Sequence, residues 1–402
     1  MREVLPELLA WWRSGATVGV ATVVATFRSA PRPPGASMLV GPGGEAVGSV
    51  SGGCVEGAVY ELSQQVVTDG APVLRRYGVS DDDAFAVGLT CGGVLDVFVE
   101  PVSQVSFPEF EVFAADVEAG RPVALATVIE HPDPAVVGRR LLVRPETEDG
   151  APRPPRQTSS PVLTSSRADD AVVDDARGLL AAGRNETLTY GPDGERRGEG
   201  MRVFVAAFAP RPRMLVFGAI DFAAAVAQQG TFLGYHVTVC DARPVFATRS
   251  RFRAADEVVV QWPHRYLEAE AAAGRIDART VITVLTHDPR FDVPLLTVAL
   301  RLPALGYIGA MGSRRTHEDR MARLREAGLT EAELGRLSSP IGLDLGARTP
   351  EETAVSIAAE VIAMRWGGQG ERLSGGEGRI HHSPVTTGPV RGRAEQIVTP
   401  DL

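Results

Sequence analysis

The chain has 402 residues, 44 % hydrophobic and 23 % charged, the make-up of a soluble globular protein of two or more domains and not of a disordered or fibrous one. Forty-one basic against fifty acidic residues leave a net charge of −9, which lacks the electrostatic footprint of a nucleic-acid binder. Every basic residue is an arginine, so a Walker phosphate loop, a pyridoxal Schiff base and a protein-kinase site are excluded, while oxyanion recognition by guanidinium forks stays open.

In chain order, the opening MREVLPELLAWWRSG has no continuous apolar stretch of the signal-peptide kind, and no later run approaches the ~20 residues that cross a bilayer. The expected location is the cytoplasm, with no membrane and no nucleic acid among the partners. Gly15-x-x-Val18-x-x-Ala21-Thr22-Val23 returns as Gly120-x-x-Val123-x-x-Ala126-Thr127-Val128, and Gly35-x-x-Met38-Leu39-Val40 returns as Gly138-x-x-Leu141-Leu142-Val143. This weak internal repeat, which also reads as chance similarity between valine-rich strands, predicts two β-rich halves within residues 1–207, a mixed α+β domain. The second half is expected to dissolve into a charged, proline-rich linker over 145–200.

From Arg213 the pattern changes to alternating strand and helix: RMLVF (213–217), YHVTVC (235–240), TVITVLT and GYIGAM read as strands, and RRTHEDRMARLREAG as a helix. The fold class is therefore α/β, with a Rossmann-like doubly wound parallel sheet over 208–370. The final helix, running to Trp366, carries its own start signal in Thr349, Pro350 and Glu352. Residues 371–402 have too little apolar content to pack and are expected to be disordered.

Three cysteines, Cys54, Cys91 and Cys240, form neither a disulfide framework nor a C-x-x-C zinc pair. Ser49-Val50-Ser51-Gly52-Gly53-Cys54-Val55-Glu56 runs from small residues into an amphipathic helix of about four turns. Such a helix start offers backbone N–H groups and the positive dipole end to a phosphate, and stabilises the thiolate of Cys54. The same loop also reads as a tight turn that buries a small thiol. Cys91 stands beside Gly92 and Gly93 ahead of the strand VLDVFVEP, so the two thiols would line one pocket if the fold joins the loops. Arg28 and Arg32 lie in a proline-stiffened segment suited to an anion and also read as exposed surface arginines, whereas Cys240 reads as a buried strand residue.

Gly218-Ala219-Ile220-Asp221 stands where a dinucleotide fold keeps G-x-G-x-x-G/A, but Ile220 replaces the glycine that lets a pyrophosphate approach. Asp241, at the end of the next strand, is placed as a ribose-binding acid. His287, in Thr286-His287-Asp288, follows the third strand where the crevice of such a sheet lies.

With these residues in view, the chain resembles the XdhC/CoxI family of xanthine dehydrogenase accessory factors. The resemblance rests on APRPPGASMLV, GSVSGGCVEGAV, TCGGVLDVFVEP, VTVCDARP, VLTHDPRFD, YIGAMGSRRT and SPIGLDLGARTPEETAVSIAAEV, in order across residues ~20 to 365. It implies a molybdenum-cofactor chaperone that receives molybdopterin or its dinucleotide form, keeps it while a cysteine desulfurase installs the terminal sulfido ligand, and delivers it to an apo-molybdenum hydroxylase. On that reading Cys54 and Cys91 would be the reactive thiols and metal ligands. Arg32, Ser51, Gly52, Gly53, Glu56, Gly92 and Gly93 in the first domain, with Gly218, Asp221, Asp241 and His287 in the second, would contact the cofactor. The alternative is an NAD(P)-dependent oxidoreductase using the Rossmann-like domain, which Ile220 disfavours. A homodimer is compatible with either.

Overall fold

Two successive copies of one helix-and-strand pattern build the first part of the chain. The first copy comprises α1 (Leu5–Arg13), β1 (Val18–Phe27), β2 (Ser37–Val40), β3 (Ala46–Gly48), α2 (Glu56–Asp69), β4 (Val73–Tyr77) and β5 (Val94–Val102). The second comprises α3 (Phe110–Glu118), β6 (Val123–Glu130), β7 (Arg140–Val143), α4 (Ser166–Ala182), β8 (Glu186–Tyr190) and β9 (Met201–Phe208). Each forms its own antiparallel sheet, ordered β3-β2-β1-β5-β4 and β7-β6-β9-β8. The computed structural model describes residues 1–27, 32–78, 93–145, 163–191, 194–196, 198–303 and 305–375. The chain divides into two compact units, Met1–Arg211 and Pro212–Leu402.

The repeat read in the sequence is a structural duplication down to register. β1 pairs with β2 from Gly19 opposite Val40 to Thr22 opposite Ser37, and β6 with β7 from Ala124 opposite Val143 to Thr127 opposite Arg140. β1 bulges between Val23 and Ala25 against β5, and β6 bulges at the same place, between Val128 and Glu130, against β9. In each copy a left-handed glycine closes the loop before the second strand: Gly35 N–H donates to Val23 O and Gly138 N–H to Val128 O, both at 2.8 Å.

The linker expectation over 145–200 is corrected by α4 and β8, which continue the second copy through that stretch. The overlooked signal was Ala168, Val172, Ala176 and Leu180, a buried stripe at helical spacing. The prolines that mark a linker are concentrated in 146–162, which lies outside the described residues, and α4 and β8 have none.

Strand alternation gives each sheet two apolar faces. The outer face of the first sheet, with Ala21, Val23 and Met38, is covered by Val59, Leu62 and Val66 of α2. α4 covers the second sheet in the same way through Val172, Ala176 and Leu180. The inner faces join one core, where Val20 and Phe98 meet Leu125 and Phe204, closed at one side by α1 and α3.

In the second unit β10 (Arg213–Phe217), α5 (Asp221–Phe232), β11 (His236–Asp241), β12 (Glu257–Val260), α6 (Pro263–Ala272), β13 (Val281–Val284), α7 (Pro289–Arg301), β14 (Tyr307–Ala310), α8 (Arg314–Glu326), α9 (Glu331–Leu334) and α10 (Pro350–Trp366) follow in order. The five strands are parallel in the order β12-β11-β10-β13-β14, the doubly wound sheet expected. α5 and α10 cover one face, α6 and α7 the other. α10 opens on the predicted capping box, Thr349 with Glu352, and Pro350 in its first turn. No described helix is long and apolar enough to cross a membrane. The tail read as disordered lies, from residue 376 on, outside the described residues.

Candidate functional site

The loop over residues 49–55 connects β3 to α2 and carries Cys54 near its end. Gly52 and Gly53 both adopt positive φ, +75° and +118°, and a Cβ on either would meet nothing within 4 Å. Glycine is required there by backbone conformation, and the surroundings are open. Cys54 is half-buried against the outer-face core of the first sheet.

The helix start is already occupied by an anion of the chain itself. Glu56 accepts hydrogen bonds from Ser49 Oγ (2.7 Å), Ser51 N (2.9 Å), Ser51 Oγ, Gly53 N (2.8 Å) and Val55 N (3.2 Å). Gly52 N donates to Ser49 Oγ, and Cys54 N and Val55 N to Ser51 Oγ, at 2.9–3.0 Å. These bonds hold the Glu56 carboxyl near 2 against the opposing effect of burial, well below its ordinary 4.5. The expectation that this helix start offers its N–H groups to a phosphate is therefore corrected: they are taken by the Glu56 carboxylate and the Ser49 and Ser51 hydroxyls. Glu56 and Ser51 shape the loop, leaving Gly52 and Gly53 exposed and Cys54 half-buried beside them against the sheet.

The second copy supplies an internal control. Counted back from the left-handed glycines that end the two helices, Gly70 and Gly183, Glu56 is equivalent to Asp169. Asp169 also reaches back, accepting from Leu163 N at 2.9 Å. The acid that braces the loop is thus kept in both copies, whereas Gly52-Gly53-Cys54 is replaced by Ser165-Ser166-Arg167. Bracing belongs to the fold, and the thiol with its open glycines belongs to the first copy alone.

A pH-dependent loss follows from the brace. Glu56→Gln is expected to destabilise the first unit by about 1–2 kcal/mol at neutral pH, because the drop from 4.5 to about 2 bounds the contribution near 3 kcal/mol and solvent screens part of it. With a depressed folded value, this stability is present above about pH 4.5 and fades as pH falls toward 2. Urea midpoints of both proteins should converge over that window; a gap that stays constant with pH would contradict the assignment.

Arg32 does not share a pocket with Cys54. It lines a cavity with Thr22, Val24 and Phe98, on the inner face of the first sheet, and pairs with Glu3 at 3.1 Å. The single grip by Arg32 and Cys54 expected from the sequence is thereby corrected: alternation along β1 puts Thr22 and Val24 on one face, Ala21 and Val23 with Cys54 on the other. Arg28, Cys91 and Gly92 lie outside the described residues; Gly93 is buried immediately before β5. Among the described residues no three His, Cys, Asp or Glu side chains cluster as metal ligands.

In the second unit, Gly218 has φ +111°, and a Cβ there would stand 2.7 Å from Thr286 Cγ2, so the glycine serves close packing against the β13–α7 loop. Asp241 accepts from Ala219 N (2.8 Å) and, through both oxygens, from Arg243. Those bonds outweigh burial and hold its carboxyl below the ordinary range. The acid expected to receive a ribose is bound to its own glycine turn and arginine, which disfavours the nicotinamide reading further. Asp221 is exposed and pairs with Arg251 at 3.1 Å, and His287 is exposed. Sequence reasoning missed Arg243 and the buried pair Asp292–Arg320 (3.0 Å), which ties the start of α7 to α8. Cys240 is buried in β11 and its thiol is pushed up to about 12, mainly by burial, an inert thiol as read.

A duplicated antiparallel unit with Cys54 on a loop of its first copy, followed by a Rossmann unit, defines a two-module protein. A model described as the XdhC and CoxI family matches residues 11–78 and again 116–191, once in each copy, and one described as the XdhC Rossmann domain matches 214–361. The chain belongs to the XdhC and CoxI family. It is 28 % identical over 350 residues to a probable xanthine dehydrogenase subunit of Bacillus subtilis (strain 168), covering 86 % of this chain and 92 % of that one. It is 25 % identical over 352 residues to the molybdenum cofactor insertion chaperone PaoD of Escherichia coli (strain K12), covering 88 % and 85 %. The crystal structure of a xanthine dehydrogenase from Bacillus halodurans shares the fold with a TM-score of 0.60 at 23 % identity, covering 93 % of this chain and 97 % of that one.

Proposed function

We propose that this protein is an accessory factor in molybdenum-cofactor maturation. It takes the cofactor as cargo, keeps it while a cysteine desulfurase supplies the terminal sulfur, and passes it to an apo-molybdenum hydroxylase. The observation that carries this reading is the asymmetry between the copies: a half-buried thiol beside an exposed glycine pair in one, arginine and serines in the other. A thiol is suited to a soft, sulfur-rich metal centre, and the likeness to a cofactor insertion chaperone supports the same chemistry. Cys54 would be the metal-facing thiol, with Gly52 and Gly53 giving the cargo room to approach. Cys91 would join it on this reading.

Transfer is the test. Loaded protein incubated with metal-free hydroxylase is expected to lose molybdenum in the amount the hydroxylase gains. Protein loaded in a host without the desulfurase should transfer metal yet leave the hydroxylase inactive. A hydroxylase that fills equally well without this chain would contradict the proposal.

A further inference from the structure

A cavity of about 340 Å³ lies between the two sheets of the first unit. Its walls are equivalent positions of the two copies: Thr22 opposite Thr127 in the repeat, and Phe98 opposite Phe204, each phenylalanine paired in register with its threonine. At the next outward position of the same strands the copies diverge. Glu100 of β5 stands where β9 has Ala206, and it is ion-paired with Arg140 of β7, whose counterpart in β2 is Ser37.

Both charged side chains of that pair are only 10–11 % exposed. Arg140 stacks over Phe107 at 4.6 Å, and its Nε is buried with no hydrogen-bond partner among the described residues. A buried ion pair is a weak source of stability, and apolar residues of similar size would close this sheet interface at lower desolvation cost. The acid is retained at the wall of a cavity, in one copy only, where a ligand could use it. Arg32, also lining the cavity, has a buried Nε with no partner among the described residues, and its terminal nitrogen is held by the exposed Glu3.

We propose that this cavity binds a planar ring bearing a 2-amino-4-oxopyrimidine edge and an anionic substituent. Glu100, whose Oε2 also accepts from Arg140, would take the two adjacent N–H donors of that edge on the remaining lone pairs of its two oxygens. Phe98 and Phe204 supply aromatic walls for the ring, the threonine hydroxyls meet its remaining polar atoms, and Arg32 meets the anion. A pterin and a guanine nucleotide share this chemistry. The cavity lies on the opposite face of the first sheet from Cys54, so the ring it binds is a separate molecule from any cofactor whose metal Cys54 faces, and this inference does not rest on the proposed cargo.

The full-length protein is titrated with 6-carboxypterin by fluorescence and with GMP by calorimetry. Saturable one-to-one binding of 6-carboxypterin is expected. Ala206→Phe, which fills the cavity with an apolar side chain, should weaken it by about tenfold or more, as should the paired change Glu100→Gln with Arg140→Met, while Cys54→Ser leaves it unchanged. Melting temperatures identify any variant that fails to fold. Binding of GMP alone, lost in Ala206→Phe, would support the site and assign it to the guanine source. Absence of saturable binding of either probe up to about 1 mM, or binding that Ala206→Phe leaves intact, overturns the inference. Protein that carries molybdenum but binds neither probe would sink this inference and leave the proposed function standing; the reverse pattern would do the opposite.

Discussion

Arg320→Met is expected to lower the unfolding free energy of the second unit by about 3–5 kcal/mol, the cost of leaving a buried carboxylate without its cation. Arg320 and Asp292 are 3 % and 5 % exposed, and the guanidinium also donates to Met311 O (2.7 Å) and Ser339 Oγ (3.0 Å). Asp292 accepts in turn from Thr286 Oγ1. The pair thus ties α7 to α8 and, through Thr286 and Met311, holds the loops that leave β13 and β14 at the carboxyl edge of the parallel sheet. Removing both charges, Asp292→Leu with Arg320→Met, should cost less than Arg320→Met alone, because no uncompensated charge then stays buried. Urea unfolding followed by tryptophan fluorescence, with each unit's transition fitted separately, checks this. A single-variant loss below about 1 kcal/mol would show that the pair does not hold these loops.

Much of the architecture was legible because hydrophobic period speaks directly. The parallel strands of the second unit are short apolar runs, and the capping box at Thr349 and Glu352 announces α10 where the structure has it. The duplication was visible from Gly15 to Val143, where strand register preserves the pattern, and became invisible across α4. There composition in the neighbouring stretch outweighed the buried stripe of Ala168, Val172, Ala176 and Leu180. Site geometry was harder to read for a different reason. Cys54 and the glycine pair were legible as chemistry, but which partner fills a helix start depends on a side chain folding back, and Glu56 does so. Arg32 and Cys54 are near each other in a motif and on opposite faces in the fold, a consequence of alternation along β1 that no single residue announces. Asp241 likewise sits at the expected strand end, yet Arg243, two positions on, occupies both of its oxygens.

Cys54→Ser is expected to empty the protein of its cargo without unfolding it. Cys54 contributes a half-buried side chain of nearly the same size as serine, and the brace around it runs through Glu56, Ser49 and Ser51. Stability should change by less than about 1 kcal/mol, whereas the loss of a soft sulfur ligand should reduce retained molybdenum by about tenfold or more. The divergence between copies makes the same point from the other side: Arg167 occupies the equivalent position in a loop that keeps its bracing acid and has no thiol to offer.

The most direct measurement is the molybdenum and pterin content of the purified chain and of Cys54→Ser, both expressed in a molybdate-replete host and compared at equal protein concentration with matched circular dichroism. Molybdenum present in the native chain together with pterin, and lost from a folded Cys54→Ser, is the predicted result. Two folded proteins that carry the same amount of both, or none of either, would contradict the account.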